Sequence, residues 1–384
     1  MVDFNILNHT VYDPKNDSSN DIELYIYSPS ESKMFKCVVE EPVVWTTEQK
    51  DNAGKLEFTV IKFDSDREES KLSFPEGAIV IFKYKGIEVF RGRIFIKQRD
   101  KEHHIACTAY DTLRYLKNSV NPRTLNMHKG TTTTKILEYL CSMNDTVFTK
   151  GDDEDGKSAF AETDVIVTWN EVDPKTYFDV IKEAAEQTRV NDPKHITYTL
   201  YDDCGKLYYK SQEDMKLNLV IDHESLENFS YSTSLDSDTY NRVLLYWGDD
   251  EGSTTTKKKT TSEERMPAGM YAYPEKAEDN PNIKAWGLLE LTEKIDSRTS
   301  NYKDKAKKLL EYHNRKTRDL TLEGCFGDVR ARAGTSVILN LDLGDIAGGR
   351  YGFITKARHT FEHKFHAMDL DVEIVTPDER INIQ

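Results

Sequence analysis

The chain has 384 residues and a formal charge of −15, with 67 Asp and Glu against 52 Lys and Arg. That length suits two or three domains and needs no disulfide or metal staple to bury a core. The acidic balance argues against a sequence-specific nucleic-acid binder, which needs clustered Lys and Arg in excess to neutralise phosphate, and no apolar run approaches the roughly 20 residues of a membrane helix. The five cysteines, at positions 37, 107, 141, 204 and 325, are far apart and never form a CxxC pair. They fit reduced, buried thiols better than a disulfide framework or a zinc knuckle. The start, MVDFNILNHTVYDP, carries no basic segment followed by an apolar one, so nothing signals secretion.

Short extended runs at Glu23 to Tyr27 and Phe35 to Val44 are separated by Ser, Pro and Glu clusters. The turn Asn52-Ala53-Gly54 leads into LEFTVIKF, where Leu56, Phe58 and Val60 share a face. After a charged loop, Gly77 opens the strand AIVIFKY. The stretch from Phe82 to Leu116 then reads as a β-meander running into a helix: Val89 to Ile96 is apolar and β-branched, Arg99 to Glu102 is a polar turn, and Ile105, Cys107 and Ala109 alternate. Tyr110 and Asp111 are structural, a strand end and a helix cap, with Leu113, Leu116 and Val120 as the helix stripe. Residues 20 to 110 thus form a mainly antiparallel barrel or sandwich.

The next block changes period. Gly130 and four threonines open a helix lined by Ile136, Leu140 and Met143, and Asp173-Pro174 starts another, with Tyr177, Ile181 and Ala184 as its buried stripe. YTLYDDCGKLYYK is a β-hairpin. Strands return from Phe229, where Tyr240-Asn241 marks a strand entry before Val243 to Trp247. A polar loop, 249 to 264, contains Lys257 to Lys259, for which a solvated loop is the expected state. A long helix with Tyr302, Ala306, Leu309 and His313 on one face follows, and then alternating strands through Val337, Leu339, Leu341 and Leu343 and through Met368, Leu370, Val372 and Ile374. The expected division is 1–118 as a first barrel, 119–220 as a small α+β domain, and 221–384 as a second barrel with a long helix and the polar loop.

The last segment echoes the first. Gly77 with Val80 corresponds to Gly334 with Val337, and Phe90-Arg91-Gly92-Arg93-Ile94 to Arg350-Tyr351-Gly352-Phe353-Ile354. If the echo is a duplication, Gly92 and Gly352 should be matched strand irregularities that fall on equivalent positions.

The ordered set GIEVFRGRI, ACTAYDTLRYL, HKGTTTTKILEYL, YFDVIKEAAEQT before a GKLYY hairpin, and FSYSTSLDSDTYNRV resembles the XkdQ-like tail hub proteins of contractile phage tails and phage-tail-like bacteriocins. The likeness runs over about residues 20 to 375, and more loosely to late-control-D proteins and the hub part of VgrG. It implies a mainly β fold with an α+β insertion, two tube-like antiparallel β-barrel domains flanking a small α+β domain. It also implies a homotrimer whose six similar barrels join the hexameric tail tube to the trimeric spike, with LysM-type baseplate and wedge proteins as neighbours and a tape measure in the lumen. Assembly would occur in the bacterial host cytoplasm, and the final place would be the distal end of the tail. No cofactor is implied, the acidic charge would suit such a lumen, and the Lys257 to Lys259 loop has no family role.

Two other readings compete. His359, Glu362 and His363 spell HxxEH, the inverted zinc-protease pattern, with His366 nearby. That chemistry needs a helix to bring both histidines to one metal, whereas the flanking alternation makes this segment a hairpin tip. A cell-wall-binding module would use the twenty tyrosines as sugar platforms, yet most sit where strand packing already explains them.

Overall fold

The computed structural model describes residues 21–29, 32–49, 53–63, 74–118, 130–143, 147–153, 156–167, 176–191, 196–236, 238–247, 269–276, 279–295, 302–346 and 348–374. Val120, Asp173-Pro174 and the Lys257 to Lys259 loop lie outside the described residues.

Six strands build the first barrel: β1 (Ile22–Ser28), β2 (Lys33–Glu48), β3 (Lys55–Phe63), β4 (Ile79–Tyr84), β5 (Ile87–Arg99) and β6 (Ile105–Tyr110). They pair antiparallel in the order β1-β4-β5-β6-β3-β2, and β2 returns to β1, so the ladder closes. Closure follows from the alternation. Leu24 and Ile26, Leu56, Phe58 and Val60, and Ile105, Cys107 and Ala109 all turn inward and are buried in one core.

A 3₁₀ turn, Thr112–Lys117, leaves the barrel with Leu113 and Leu116 buried. It leads to the α+β unit: α1 (Thr133–Met143), β7 (Thr149–Lys150), α2 (Tyr177–Asn191), β8 (Tyr198–Asp203) and β9 (Lys206–Ser211). Ile136 and Leu140 are buried on α1, but Met143 is exposed, because the helix ends there, beyond the packed face. Thr176 and Asp179 form a reciprocal cap at the start of α2, with Asp179 N donating to Thr176 Oγ1 at 3.2 Å and Thr176 N to Asp179 Oδ2 at 2.8 Å.

The remaining strands are β10 (Lys216–Asp222), β11 (Asn228–Ser234), β12 (Arg242–Trp247), β13 (Gly269–Tyr273), β14 (Glu290–Lys294), β15 (Thr317–Phe326), β16 (Ser336–Asn340), β17 (Arg350–Glu362) and β18 (Phe365–Glu373), with helices α3 (Pro281–Trp286) and α4 (Tyr302–His313). Six of them form a second array in the order β10-β16-β17-β18-β15-β11. This is the strand order of the first barrel. Two details differ: β10 runs parallel to β16, and among the described residues no ladder joins β10 to β11. The second copy is therefore a curled sheet around its own core of Leu320, Leu322, Val337, Leu370 and Val372, rather than a fully hydrogen-bonded barrel.

Between β11 and β15 the chain makes a separate three-stranded sheet, β13-β12-β14. Here the apolar stripe of α4 finds its partner: Ala306, Leu309 and Leu310 pack on Val243 and Leu245, and Val190 of α2 packs against the same cluster. Tyr302 rests on Trp247 with ring centroids 5.1 Å apart.

Candidate functional site

The joint between the two arrays is made by one strand. β17 is 13 residues long and serves both. Its first half pairs with β16, Gly352 opposite Val337, and its second half pairs with β2, Lys356 opposite Glu48 through Phe361 opposite Val43. β18 lies along its other edge from Phe353 to Glu362. A strand from the end of the chain thereby carries Phe361 into the core of the first barrel, 5.0 Å from the rings of both Phe82 and Tyr84.

His359 sits at the centre of this joint with 0% exposure. Its ring stacks on Trp45 at 4.9 Å, Nε2 lies 2.6 Å from the Ala331 carbonyl oxygen, and Nδ1 lies 2.9 Å from His366 Nε2. A carbonyl oxygen can only accept, so Nε2 carries the proton and donates to it. Nδ1 is then bare and accepts from His366 Nε2–H. Both rings are held neutral. Burial pushes His359 down to about 3, with His366 adding to the effect, and burial pushes His366 down to about 4.

The HxxEH segment is not helical: His359 and Glu362 belong to β17, a turn covers His363 and Lys364, and β18 follows. His359 points inward while Glu362 is exposed, so the groups a metalloprotease would bring together point apart. Backbone amides at the tip instead grip the first barrel, His363 N donating to Glu41 Oε2 at 2.8 Å and Lys364 N to Asp21 Oδ2 at 3.2 Å. Among the described residues no group of three His, Cys, Asp or Glu is placed to hold a metal.

A second node ties both arrays to the α+β unit. Asp111 accepts from Gly54 N at 2.8 Å and from Leu113 N at 3.0 Å, which locks the turn before β3 to the exit from β6. Gly54 is required there, because a Cβ would run into the Asp111 carboxylate. Asp202, on β8, accepts from the Thr112 hydroxyl and from Gly205 N at 2.7 Å. Arg332, from the loop before β16, donates to the Asp202 carbonyl at 2.7 Å, and its guanidinium lies over the rings of Tyr201 and Trp45. Burial first, then the neighbouring Asp202 charge, raises Asp111 well above the ordinary carboxylate range. Burial raises Asp202 to about 6 against its hydrogen bonds.

The other residues singled out in the sequence are dispersed. Tyr110 closes β6 opposite Lys55 and Arg93, its ring edge-on to Phe95 at 5.6 Å. Tyr240 N donates to the His313 carbonyl at 3.1 Å, and its ring meets His313 at 5.4 Å. Asn241 is fully buried. Its amide donates to Gly287 O at 2.6 Å, its carbonyl accepts from Leu289 N at 2.8 Å, and Asn280 Nδ2 donates to its backbone oxygen at 2.8 Å. Asn241→Ala removes two part-buried hydrogen bonds, to Gly287 O and from Leu289 N, and should cost roughly 1–3 kcal/mol in a urea melt. An unchanged midpoint would show that water replaces the amide.

Gly92 and Gly352 occupy matching places. Gly92 lies opposite Val80 and Gly352 opposite Val337; Gly77 N donates to Ile94 O, and Gly334 N to Ile354 O, both at 2.8 Å. The register with the next strand slips after Ile94 and after Ile354, so the bulge falls just beyond each glycine rather than on it. A Cβ on Gly92 would meet the Tyr110 carbonyl oxygen and the Phe90 ring, whereas on Gly352 it would meet the Val372 and Leu339 side chains. Side chains yield more readily than backbone. Gly92→Ala should therefore lower stability by about 1–3 kcal/mol and Gly352→Ala by less; equal losses in parallel thermal melts would contradict this.

A cleft of about 590 Å³ opens between the arrays, α2 and α4. It is lined with paired charges, Arg315 to Glu373 at 3.3 Å, Lys356 to Glu48 at 3.4 Å and Arg189 to Glu186 at 2.6 Å. Sequence reasoning did not pick out Trp45, Asp202 or Arg332, and none stands in a local pattern that would mark it.

The profile of the YQBQ-like family matches residues 43–373, most of the chain. The phage-like element PBSX protein XkdQ of Bacillus subtilis (strain 168) is similar, 25% identical over 358 residues, 91% of this chain and 96% of that one. Among solved structures, the fold resembles the 43 kDa tail protein of prophage MuSo2 from Shewanella oneidensis, with TM-score 0.58, 13% identity, and 94% and 99% of the two chains covered. It also resembles the E. coli c3393 protein, a type VI secretion component described as structurally similar to the T4 tail proteins gp27 and gp5, with TM-score 0.50, 10% identity, and 93% and 77% covered. At those identities the two structures establish the fold alone, and the family match carries the assignment: the chain belongs to the YQBQ-like family.

Proposed function

We propose that this chain is the hub of a contractile injection machine. Three copies form a pseudo-hexameric ring that joins the hexameric tail tube to the trimeric spike. The observation that carries the reading is the repeated strand order: two six-strand arrays joined edge to edge through β17 and β2. One chain then supplies two similar ring positions, and a threefold ring meets a sixfold tube without unmatched surfaces. In this reading residues 1–118 and 221–384 hold the ring positions, and 119–220 is a smaller α+β unit beside them. The reported likeness of the E. coli relative to gp27 and gp5 supports the same role.

The role is mechanical rather than enzymatic, with no cofactor. Tube protein, spike, a LysM-type baseplate protein and wedge proteins are the partners, and a tape measure threads the lumen. The ring assembles in the host cytoplasm and ends at the distal tip of the tail. Electron microscopy and quantitative mass measurement of isolated tails test this. Three copies between tube and spike are expected, and any other copy number, or a position outside the central ring, ends the proposal.

A further inference from the structure

The intrachain joint specifies a second joint that a single chain cannot make. Around the joint, the two arrays align residue by residue. Gly92 matches Gly352, Tyr110 matches Glu373, Lys55 matches Asp319, and Thr46 matches Ser232, because each pair occupies the same place opposite the same neighbour. Carried along the strands, Lys356 to Arg358 of β17 correspond to Ile96 to Gln98 of β5. Thr46 to Glu48 of β2 correspond to Ser232 to Ser234 of β11. In the chain, the first of these stretches in the second array pairs with the other stretch in the first array.

Their counterparts face no strand among the described residues. Among the described residues, β11 is laddered only to β15, and residues 96 to 98 of β5 only to β6. Ile96 is 46% exposed, and Gln98, Ser232 and Thr233 are exposed as well. A row of open amides and carbonyls is a template for another strand. Here the repeat itself says which strand fits.

We propose that the outer edge of β11 in one copy pairs antiparallel with residues 96 to 98 of β5 in a second copy of this chain. Ser234 lies opposite Ile96, Thr233 opposite Lys97 and Ser232 opposite Gln98. The register copies Glu48 opposite Lys356, Thr47 opposite Ala357 and Thr46 opposite Arg358. It also sets Tyr231 against Arg99 where Trp45 lies against His359. The intrachain bond from Gln49 N to Thr355 O, 2.9 Å, would have its counterpart from Leu235 N to Phe95 O. Each copy offers one edge and takes the other, a head-to-tail contact that closes into a ring when the rotation permits. The inference rests on the ring proposed above and adds which strands seal it and in what register.

Cysteine pairs test it in the full chain, both purified and in isolated tails. Gln98 and Ser232 would stand directly opposite one another, within reach of a disulfide, whereas a one-residue slip turns the side chain to the other face of the sheet. The double variant Gln98→Cys/Ser232→Cys should give, on mild oxidation, species of two and three linked chains on a non-reducing gel. Lys97→Cys/Ser232→Cys should stay at the level of the wild type, whose five cysteines provide the background. Both variants change exposed or half-buried strand positions, and thermal melts confirm that they fold. If tails hold three copies but the first pair does not link above that background, or both pairs link equally, the strand assignment falls and the ring survives. If tails hold another copy number, the ring itself falls and this inference with it.

Discussion

Phe361→Ala is expected to destabilise the chain by about 3–5 kcal/mol, the range for deleting a fully buried phenylalanine. The side chain belongs to β17 of the second array, yet its contacts, Phe82 and Tyr84, lie in the core of the first barrel. Removing it empties one core and loosens the attachment of the other. The outcome separates from a simple loss of stability when local opening is measured. Hydrogen exchange should quicken in residues 43 to 48 of β2 and 356 to 361 of β17 more than at Leu320 and Leu370, which sit in the other core. Uniform acceleration across both arrays would mean that they unfold as one unit and that the joint has no separate energetics.

Acid should weaken the same joint, with a sign set by His359. Unfolded, the imidazole titrates near 6.5; folded, it is held down to about 3 because burial and the neighbouring His366 disfavour its charge. Between those values the unfolded chain binds a proton that the folded chain does not. Stability is fully present above pH 6.5 and is lost as pH falls from there toward 3, at up to about 1.4 kcal/mol per pH unit. His366, held to about 4, acts in the same direction over a shorter window. Asp202 opposes them. Its folded value of about 6 lies above the ordinary 3.8, so the folded chain binds the extra proton there, and stability rises as pH falls from about 6 to 3.8. Asp111 shifts in the same direction as Asp202.

His359→Gln separates these contributions, since its amide can still donate to Ala331 O but does not titrate. Chemical denaturation at pH 6 and pH 5 should show a shallower acid loss in the variant than in the wild type, by about 1.4 kcal/mol per pH unit at most. Asp202→Asn should do the reverse and steepen the loss. Identical slopes in all three proteins would rule out the neutral histidine pair as the acid-sensitive element.

Much of the fold could be read from local pattern. The inward set Ile105, Cys107 and Ala109, the stripes of the helices and the hairpin at Cys204-Gly205 are short-range signals, since side chains two or four residues apart must share a face whatever surrounds them. The echo of Gly92 in Gly352 was legible for the same reason: both glycines are demanded by crowding within their own meander. The separate sheet β13-β12-β14 was harder to see, because Val243 and Leu245 look the same in sequence whether their partner is a helix or a barrel wall.

What no local pattern contains is the partner of an edge. Trp45 and His359 are far apart in the chain, and Arg332 and Asp202 are 130 residues apart, yet each pair is in contact. Their meeting depends on β17 running past its own sheet into the first barrel, a choice made by long-range pairing and by the burial of Phe361. Sequence alone determined where the strands alternate and where the glycines fall, because strand period and glycine placement are properties of neighbours. Tertiary structure decided that one strand belongs to both arrays, that HxxEH runs from a strand into a turn with a buried neutral histidine at its start, and that two edges carry no further ladder among the described residues. Those outcomes follow from which hydrogen-bonding rows found partners after both cores had closed.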